Sequence, residues 1–406
     1  MKNKTVCVVG LGYIGLPTAA LLASNGYDVR GVDINEHTVD IINRGCIHIV
    51  EPDLDAYVRS AVSNQKLKAY ISPQSADIYM ICVPTPFHEG HDIPMPNINY
   101  VLSAVKSISP LIKSGDLVIL ESTSPVGTTQ AIKTMLKDCN VDVESISIAY
   151  CPERVLPGKI MIELVQNDRI IGGLSEQATK EVAMFYRTFV KGEVFETDAP
   201  TAEMCKLAEN SYRDVNIAFA NELSMLCANA DIDAQKLIKL ANHHPRVNIL
   251  QPGVGVGGHC IAVDPWFIVA RDPENAKLIR AAREVNNAKA NWVISRIKKR
   301  LDALSIELHR APILVCLGLA FKPNIDDLRE SPAMQVVKSL YSAGYNIKVV
   351  EPNIDSHEYL DLIDLSDSLL EADIIAILVN HREFSGLLSS GIVKKESVLD
   401  FCGLCD

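Results

Sequence analysis

Residues 5–33 read TVCVVGLGYIGLPTAALLASNGYDVRGVD, and this stretch decides the fold. Thr5 to Gly10 is a short β-branched run closed by glycine, the pattern of a strand buried on both faces. Gly10, Gly12 and Gly15 then complete a G-x-G-x-x-G with Tyr13 and Ile14 inside it. Helical sequence follows from about Leu16 to Asn25, and Asp28 to Val32 reads as a second strand ending in Asp33. In such a unit the first glycine permits a tight turn and the second lets backbone approach a pyrophosphate. The third lets helix pack closely on strand, and the helix N-terminus attracts the negative charge. A carboxylate at Asp33 accepts hydrogen bonds from an adenosine ribose and repels a 2′-phosphate, so the pattern favours NAD over NADP. Nearby Arg30 is a mild counter-argument.

Further apolar runs occur at Ile78–Val83, Leu117–Leu120, Ser147–Tyr150 and Arg169–Ile171, with helical patterns between several of them. This alternation predicts a parallel sheet with helices on both faces. Thr201 to Ala230 contains no Pro or Gly and is long enough for one extended helix. A glycine-rich loop, Gly253–Gly258, precedes more helix at Glu274–Leu301. Strand-like runs then return at Ile313–Leu317, Asn346–Val350, Asp373–Val379 and Val398–Phe401. The expected architecture is α/β: two Rossmann-like doubly wound parallel-sheet domains, residues 1–198 and 306–406, joined by a long central helix and helical connector, residues 199–305. Leu-Gly-Leu-Ala at 317–320 stands in the second domain where Val-Gly-Leu-Gly stands at 9–12, without the remaining glycines. Two similar folds with one fingerprint imply one cofactor site and one site for something else.

The composition narrows the function classes. The 406 residues carry a formal net charge of −11, which argues against nucleic acid as the main partner. A local cluster of basic residues can still hold one anionic small molecule. Glycines 10, 12 and 15 interrupt the N-terminal apolar run, so a strand and turn explain it better than a secretory signal. No stretch approaches ~18 uninterrupted apolar residues, so no membrane span is expected. Eleven scattered cysteines indicate reduced thiols and a cytoplasmic location. Cys402 and Cys405 have redox or metal spacing but lack a second pair or a nearby histidine, so no metal site is expected.

The most informative chemistry lies in Val254-Gly-Val-Gly-Gly-His259-Cys260-Ile-Ala-Val-Asp264-Pro. A cysteine at the mouth of a glycine run, with an Asp four residues on, is placed like a nucleophile, although a packing cysteine is the plainer alternative. On the long helix Lys206, Asn210 and Arg213 recur at i, i+4 and i+7 and share one face. They read either as a solvated stripe or as a proton acceptor with an oxyanion donor. Thr85 and Thr123 follow two strand ends, where ligands of open parallel sheets bind, but turn and helix-cap roles suit them too.

Several motifs in order give the chain a resemblance to the UDP-glucose/GDP-mannose dehydrogenase family over nearly its whole length. They are the glycine fingerprint, Cys151-Pro-Glu153-Arg154-Val155, Lys206-Leu-Ala-Glu-Asn210, Gly257-Gly-His-Cys260 with Asp264, and Gly318-Leu-Ala-Phe-Lys322-Pro-Asn-Ile-Asp-Asp-Leu-Arg329-Glu-Ser-Pro. The resemblance implies four-electron oxidation of a nucleotide-sugar alcohol to the acid, with NAD as cofactor. Cys260 would attack an enzyme-bound aldehyde to give a thiohemiacetal and then a thioester. Lys206 and Asn210 would stabilise the oxyanion, Glu153 would assist hydrolysis, and Thr123 and Asp264 would position water and protons. Lys322 would contact the sugar nucleotide and Arg329 the cofactor. The second α/β domain would hold uridine diphosphate, and the long helix would form a homodimer interface.

Val263 stands where UDP-glucose members typically have Lys, which weakens that substrate. The strings around Arg154, His244-Pro-Arg246 and Cys260 are most similar to members acting on UDP-N-acetyl-D-mannosamine. By that resemblance Arg154, Val155, Arg213, His244 and Arg246, with Gly257 and Lys322, would contact the sugar nucleotide. UDP-N-acetylglucosamine, which differs at one carbon, and UDP-glucose remain alternatives for a surface-polysaccharide precursor enzyme. A two-electron hydroxyacid dehydrogenase and a catalytically silent NAD-binding sensor are the competing functional classes.

Overall fold

The computed structural model describes residues 4–88, 90–258, 260–387 and 393–404, and its chain falls into two compact units, Met1–Ala208 and Glu209–Asp406. The first unit begins β1 (Thr5–Val9), α1 (Gly15–Ser24), β2 (Asp28–Val32), α2 (Glu36–Asn43), α3 (Leu54–Ser63), β3 (Leu67–Tyr70) and β4 (Ile78–Ile81). A short hairpin of β5 (Phe87–His88) and β6 (Met95–Pro96) leads to α4 (Asn99–Ile108), β7 (Leu117–Leu120), α5 (Thr128–Asp138) and β8 (Ser147–Tyr150). It closes with α6 (Ile160–Gln166), β9 (Arg169–Gly173), α7 (Glu176–Tyr186), β10 (Val194–Asp198) and the start of the long helix α8 (Ala199–Asn229).

Side chains of β1 alternate between two cores. Val6 and Val8 pack with Leu16, Val58 and Phe185, while Cys7 and Val9 pack with Val101, Ile108 and Ile132. A strand buried on both faces needs no polar alternation, which is why its sequence is a continuous apolar run. The eight-stranded sheet has the order β10-β9-β8-β7-β4-β1-β2-β3. The six strands from β8 to β3 pair in parallel. β9 runs antiparallel to β8, and β10 follows β9 in parallel. The sheet is therefore parallel as expected through six strands, with a reversed pair at one edge: a short buried apolar run carries no direction, which the path of the connection fixes. The strand order reverses between β1 and β4, and ligands of such sheets bind outside the carboxyl ends at that switch point.

The second unit continues α8 and adds α9 (Ala234–Ala241), α10 (Asp264–Arg271), α11 (Lys277–Leu308), β11 (Leu314–Leu317), α12 (Pro332–Ser342), β12 (Ile347–Val350), α13 (Leu365–Glu371), β13 (Ile374–Ile377) and β14 (Val398–Asp400). Its four strands are all parallel, in the order β12-β11-β13-β14. β11 repeats the two-sided pattern, with Leu314 and Cys316 in one core and Val315 and Leu317 in the other. Ala290, Val293, Ile294, Ile297 and Leu301 form the buried stripe that seats α11 on the first of these cores. A buried polar chain links α8, α11 and the glycine run. Arg283 donates to Asp214 (2.6 Å), Asn286 donates to the same oxygen (2.8 Å), Asn221 donates to Asn286 (2.9 Å), and the Gly253 N–H donates to Asn221 (2.8 Å).

Candidate active site

Within the first unit the three fingerprint glycines do three different jobs. A Cβ on Gly10, whose φ is +93°, would lie 2.6 Å from the Cys82 carbonyl oxygen, and one on Gly15 would lie 1.7 Å from the Gly10 oxygen. A Cβ on Gly12 would meet nothing within 4 Å. The outer two therefore permit the turn and the helix packing, and the middle one leaves an open cradle of the kind a pyrophosphate needs. Tyr13 and Ile14 continue that turn into the first residues of α1. Asp33 Oδ2 accepts from the Leu11 N–H (3.1 Å) and Oδ1 from the Asn35 N–H (2.9 Å), which fixes the carboxylate at the end of β2. Arg30, the one basic residue that argued for a 2′-phosphate, instead donates to the Ser75 carbonyl. The residues present fit NAD.

The structure brings Thr85 and Thr123 together, since Thr85 Oγ1 donates to the Thr123 carbonyl (2.6 Å) at the carboxyl ends of β4 and β7. The helix after Thr123 is held from a distance in sequence. Glu203, fully buried, accepts from the Gly127 N–H (2.6 Å), the Thr129 N–H (2.7 Å) and Thr129 Oγ1 (2.6 Å). Glu153 follows β8 and is 6% exposed. Burial pushes its carboxyl up to about 7, against the opposing pull of Arg169 and Lys206. Its Oε1 lies 3.3 Å from Arg169 Nη1, its Oε2 accepts from the Val155 N–H, and Arg169 itself is 1% exposed. Glu121, a second buried acid raised by burial, accepts from Tyr186 Oη (2.6 Å) and Cys82 Sγ (3.2 Å). Arg154 donates to the Asp168 carbonyl (3.2 Å). A carboxyl titrating near neutrality can give and take protons at physiological pH, the property a hydrolytic base requires.

Lys206 and Asn210 sit one turn apart in α8, as their spacing predicts. In the second unit Asn210 Nδ2 donates to Asp264 Oδ2 at 2.5 Å, with both residues buried. Asp264 thereby fixes which way the amide points, and the second N–H of Nδ2 can serve an oxyanion. Cys260 is exposed, and its carbonyl accepts from the Val263 and Asp264 N–H groups (3.0 and 2.9 Å) in a turn that opens α10. His259 lies outside the described residues. The glycines before it serve protein packing: a Cβ on Gly257 would lie 2.3 Å from the Glu330 carbonyl, and one on Gly258 would lie 2.8 Å from the Phe321 ring. The Gly258 N–H donates to the Arg329 carbonyl (3.3 Å), so the loop carrying Lys322 and Arg329 supports the Cys260 turn. Arg329 pairs with Asp327. Arg213 is exposed, and His244 and Arg246 occupy an exposed turn after α9, where His244 Nδ1 accepts from the Arg246 N–H (3.3 Å). Cys402 packs under β13, its thiol donating to the Leu378 carbonyl (3.1 Å) and pushed up by burial; Cys405 lies outside the described residues.

Arg169, Glu121 and Glu203 escaped the sequence reading. Each acts on a partner 16 or more residues away, and no local motif marks such a pairing.

Residues 4–190 match the NAD binding domain of the UDP-glucose/GDP-mannose dehydrogenase family, 200–288 its central domain and 315–406 its UDP binding domain. The chain is 53% identical to a UDP-N-acetyl-D-mannosamine dehydrogenase of Campylobacter jejuni, across 98% of this chain and 99% of that one. It is 51% identical to an NDP-N-acetyl-D-galactosaminuronic acid dehydrogenase of Ralstonia solanacearum, across 95% and 92%. Among solved structures, the UDP-N-acetyl-mannosamine dehydrogenase Cap5O of Staphylococcus aureus superposes with a TM-score of 0.89 at 43% identity, covering 98% of this chain and 95% of the other. No helix among the described residues is long and apolar enough to cross a membrane. With all three domains matched in order, the chain belongs to the UDP-glucose/GDP-mannose dehydrogenase family and is an NAD-dependent dehydrogenase.

Proposed function

We propose that the protein oxidises C6 of a UDP-N-acetylhexosamine, UDP-N-acetyl-D-mannosamine, to the uronic acid in two steps, with Cys260 as covalent nucleophile. The observation that carries the chemistry is the exposed Cys260 on a glycine turn whose next helix begins with Asp264, hydrogen-bonded at 2.5 Å to Asn210. The choice of sugar is supported by the names of the relatives, of which one acts on a galacto-configured sugar instead.

Lys206 accepts or relays the proton of the C6 hydroxyl in the first oxidation. NAD⁺, which Gly10, Gly12, Gly15 and Asp33 would hold, would supply the hydride acceptor for each oxidation, a fresh NAD⁺ replacing NADH between the two. The Cys260 thiolate adds to the aldehyde carbon, and the roles read for Asn210 and Lys206 are to stabilise the resulting thiohemiacetal oxyanion. Collapse of that oxyanion expels the second hydride and leaves a Cys260 thioester. Glu153, with Arg169 behind it, takes a proton from the attacking water, and the acid and the Cys260 thiolate are released. Thr123 and Asp264 hold water and Asn210 in place for this sequence.

Gly10, Gly12, Tyr13, Ile14, Gly15, Asp33, Thr85, Thr123 and Arg329 serve the cofactor in this reading. Arg154, Val155, Lys206, Asn210, Arg213, His244, Arg246, Gly257 and Lys322 serve the sugar nucleotide. Domains spanning 1–198, 199–305 and 306–406 divide this labour, and the cytoplasm is the expected compartment. A homodimer through α8 is supported by an exposed apolar stripe at heptad spacing: Tyr212, Phe219 and Leu226 are 71%, 55% and 58% exposed.

A panel of UDP-sugars incubated with NAD⁺ tests the assignment, with UDP-N-acetyl-D-mannosamine expected to give the highest kcat/KM. Cys260→Ala should form no acid. Full acid formation by that variant would make Cys260 structural, and silence across the panel with cofactor still bound would favour a sensor.

A further inference from the structure

The two α/β sheets place a carboxylate at the same topological point. Asp33 follows β2 and Glu351 follows β12, each one strand over from the glycine-containing turn at the end of β1 or β11. Asp33 is partly exposed and accepts from two backbone donors, the Leu11 and Asn35 N–H groups. Glu351 is 4% exposed and is consumed by the protein. Its Oε2 accepts from the Leu319 N–H (2.7 Å), the Ala320 N–H (3.1 Å) and His381 Nε2 (3.1 Å). Its Oε1 accepts from the Asn353 N–H (3.0 Å) and Asn353 Nδ2 (3.1 Å). A carboxylate offers about four lone-pair directions, so this one has no capacity left for a ligand.

His381 is fully buried. Its Nδ1 accepts from the Asn324 N–H (2.9 Å) and faces Asn353 Nδ2 (3.0 Å), two donors, so the ring proton sits on Nε2 and is given to Glu351. Asn324, at φ +60°, is locked on its other side by accepting from the Arg382 N–H (3.0 Å). The fixed points Leu319, Ala320 and Asn324 bracket Lys322. The same loop runs on to Arg329 and Glu330, whose carbonyls meet Gly258 and Gly257 ahead of Cys260.

We infer that Glu351 and His381 are a positioning pair, which sets the 318–331 loop so that Lys322 meets the diphosphate of the substrate and the Cys260 turn is seated. The carboxylate that serves the cofactor's ribose in the first sheet has become, in the second, the anchor of the loop. The inference rests on the reading that the second unit holds a UDP-sugar. Neither residue touches substrate.

The test compares wild type with His381→Leu and His381→Asn, measuring UDP and NAD⁺ affinity by calorimetry, and KM against kcat. His381→Leu should weaken UDP binding tenfold or more and raise KM for the UDP-sugar by a similar factor, with NAD⁺ affinity falling far less, since of the cofactor's residues the loop carries only Arg329. His381→Asn, whose Oδ1 can accept from the Asn324 N–H in place of Nδ1, should recover most of the loss. Where His381→Leu does not fold, Glu351→Gln carries the same comparison. A folded variant with UDP affinity equal to wild type, or with UDP and NAD⁺ affinities weakened alike, overturns the pairing while leaving the functional reading intact. Wild type that binds no UDP overturns both.

Discussion

Replacing Arg169 with Met should move the pH at which the hydrolytic step switches on. Arg169 Nη1 stands 3.3 Å from Glu153 Oε1, and the two side chains are 1% and 6% exposed. At an effective dielectric of about 20, that separation corresponds to roughly 5 kcal/mol of attraction, or a little under ~4 pH units on the carboxyl. The same guanidinium also steadies Glu121, and water entering the vacated space will absorb much of the change. A rise of at least about one unit is what survives those reductions. Glu153 must be ionised to take a proton from water, so the acid limb of kcat for acid formation should climb from about 7 to 8 or above. Removing the cation from two buried acids also costs stability, about 3–5 kcal/mol for a broken buried pair. Arg169→Lys is therefore the control and should keep the limb near its original place. Glu121→Gln should push the limb the other way, because Glu121 raises Glu153 through like charge. The assay is the pH profile of acid formation, with aldehyde oxidation followed separately. An acid limb unmoved in a folded Arg169→Met variant would refute the electrostatic account of Glu153.

Three further outcomes follow from the same geometry. Glu153→Gln should form the thioester but release it slowly, giving a burst of two NADH per site in rapid-quench experiments and a covalent adduct on Cys260 by mass spectrometry. Phe219→Glu should weaken self-association in sedimentation measurements. A phenylalanine that is 55% exposed leaves roughly 110 Å² to bury, worth about 2–3 kcal/mol in each of two protomers, so the dissociation constant should rise about a thousandfold or more. Glu351→Gln should lose stability in a pH-dependent way. Burial alone would raise this carboxyl, yet hydrogen bonds from His381 and the Leu319 N–H hold it down at about 2. A lowered carboxyl stabilises the fold above its unfolded value, so the deficit of the variant in urea melts should be full near neutrality and close as pH falls from about 4.5 towards about 2.

The parts of this fold that sequence discloses are those whose cause is local. β1 and β11 are legible because two-sided burial forbids polar residues along them, and the fingerprint glycines because backbone geometry admits nothing else there. β3, with Lys68 exposed beside buried Leu67 and Ala69, is four residues long and lies at the sheet edge, so its pattern is too short to distinguish from a loop. The reversal at β9 is invisible for a different reason, since apolar composition has no polarity along the chain. The site divides in the same way. Cys260, Asp264, Lys206 and Asn210 stand out through spacing, and the 2.5 Å contact of Asn210 with Asp264 spans 54 residues that no periodicity connects. The glycines at 257 and 258 are visible in the sequence, whereas the Glu330 carbonyl and the Phe321 ring that crowd them lie more than sixty residues further on.

The central claim is that one active site performs both oxidations through Cys260, and the stoichiometry of cofactor reduction tests it most directly. With limiting UDP-N-acetyl-D-mannosamine and excess NAD⁺, wild type should form two NADH for each sugar consumed and one equivalent of uronic acid. A ratio of one, with an aldehyde or ketone accumulating as product, would contradict the account.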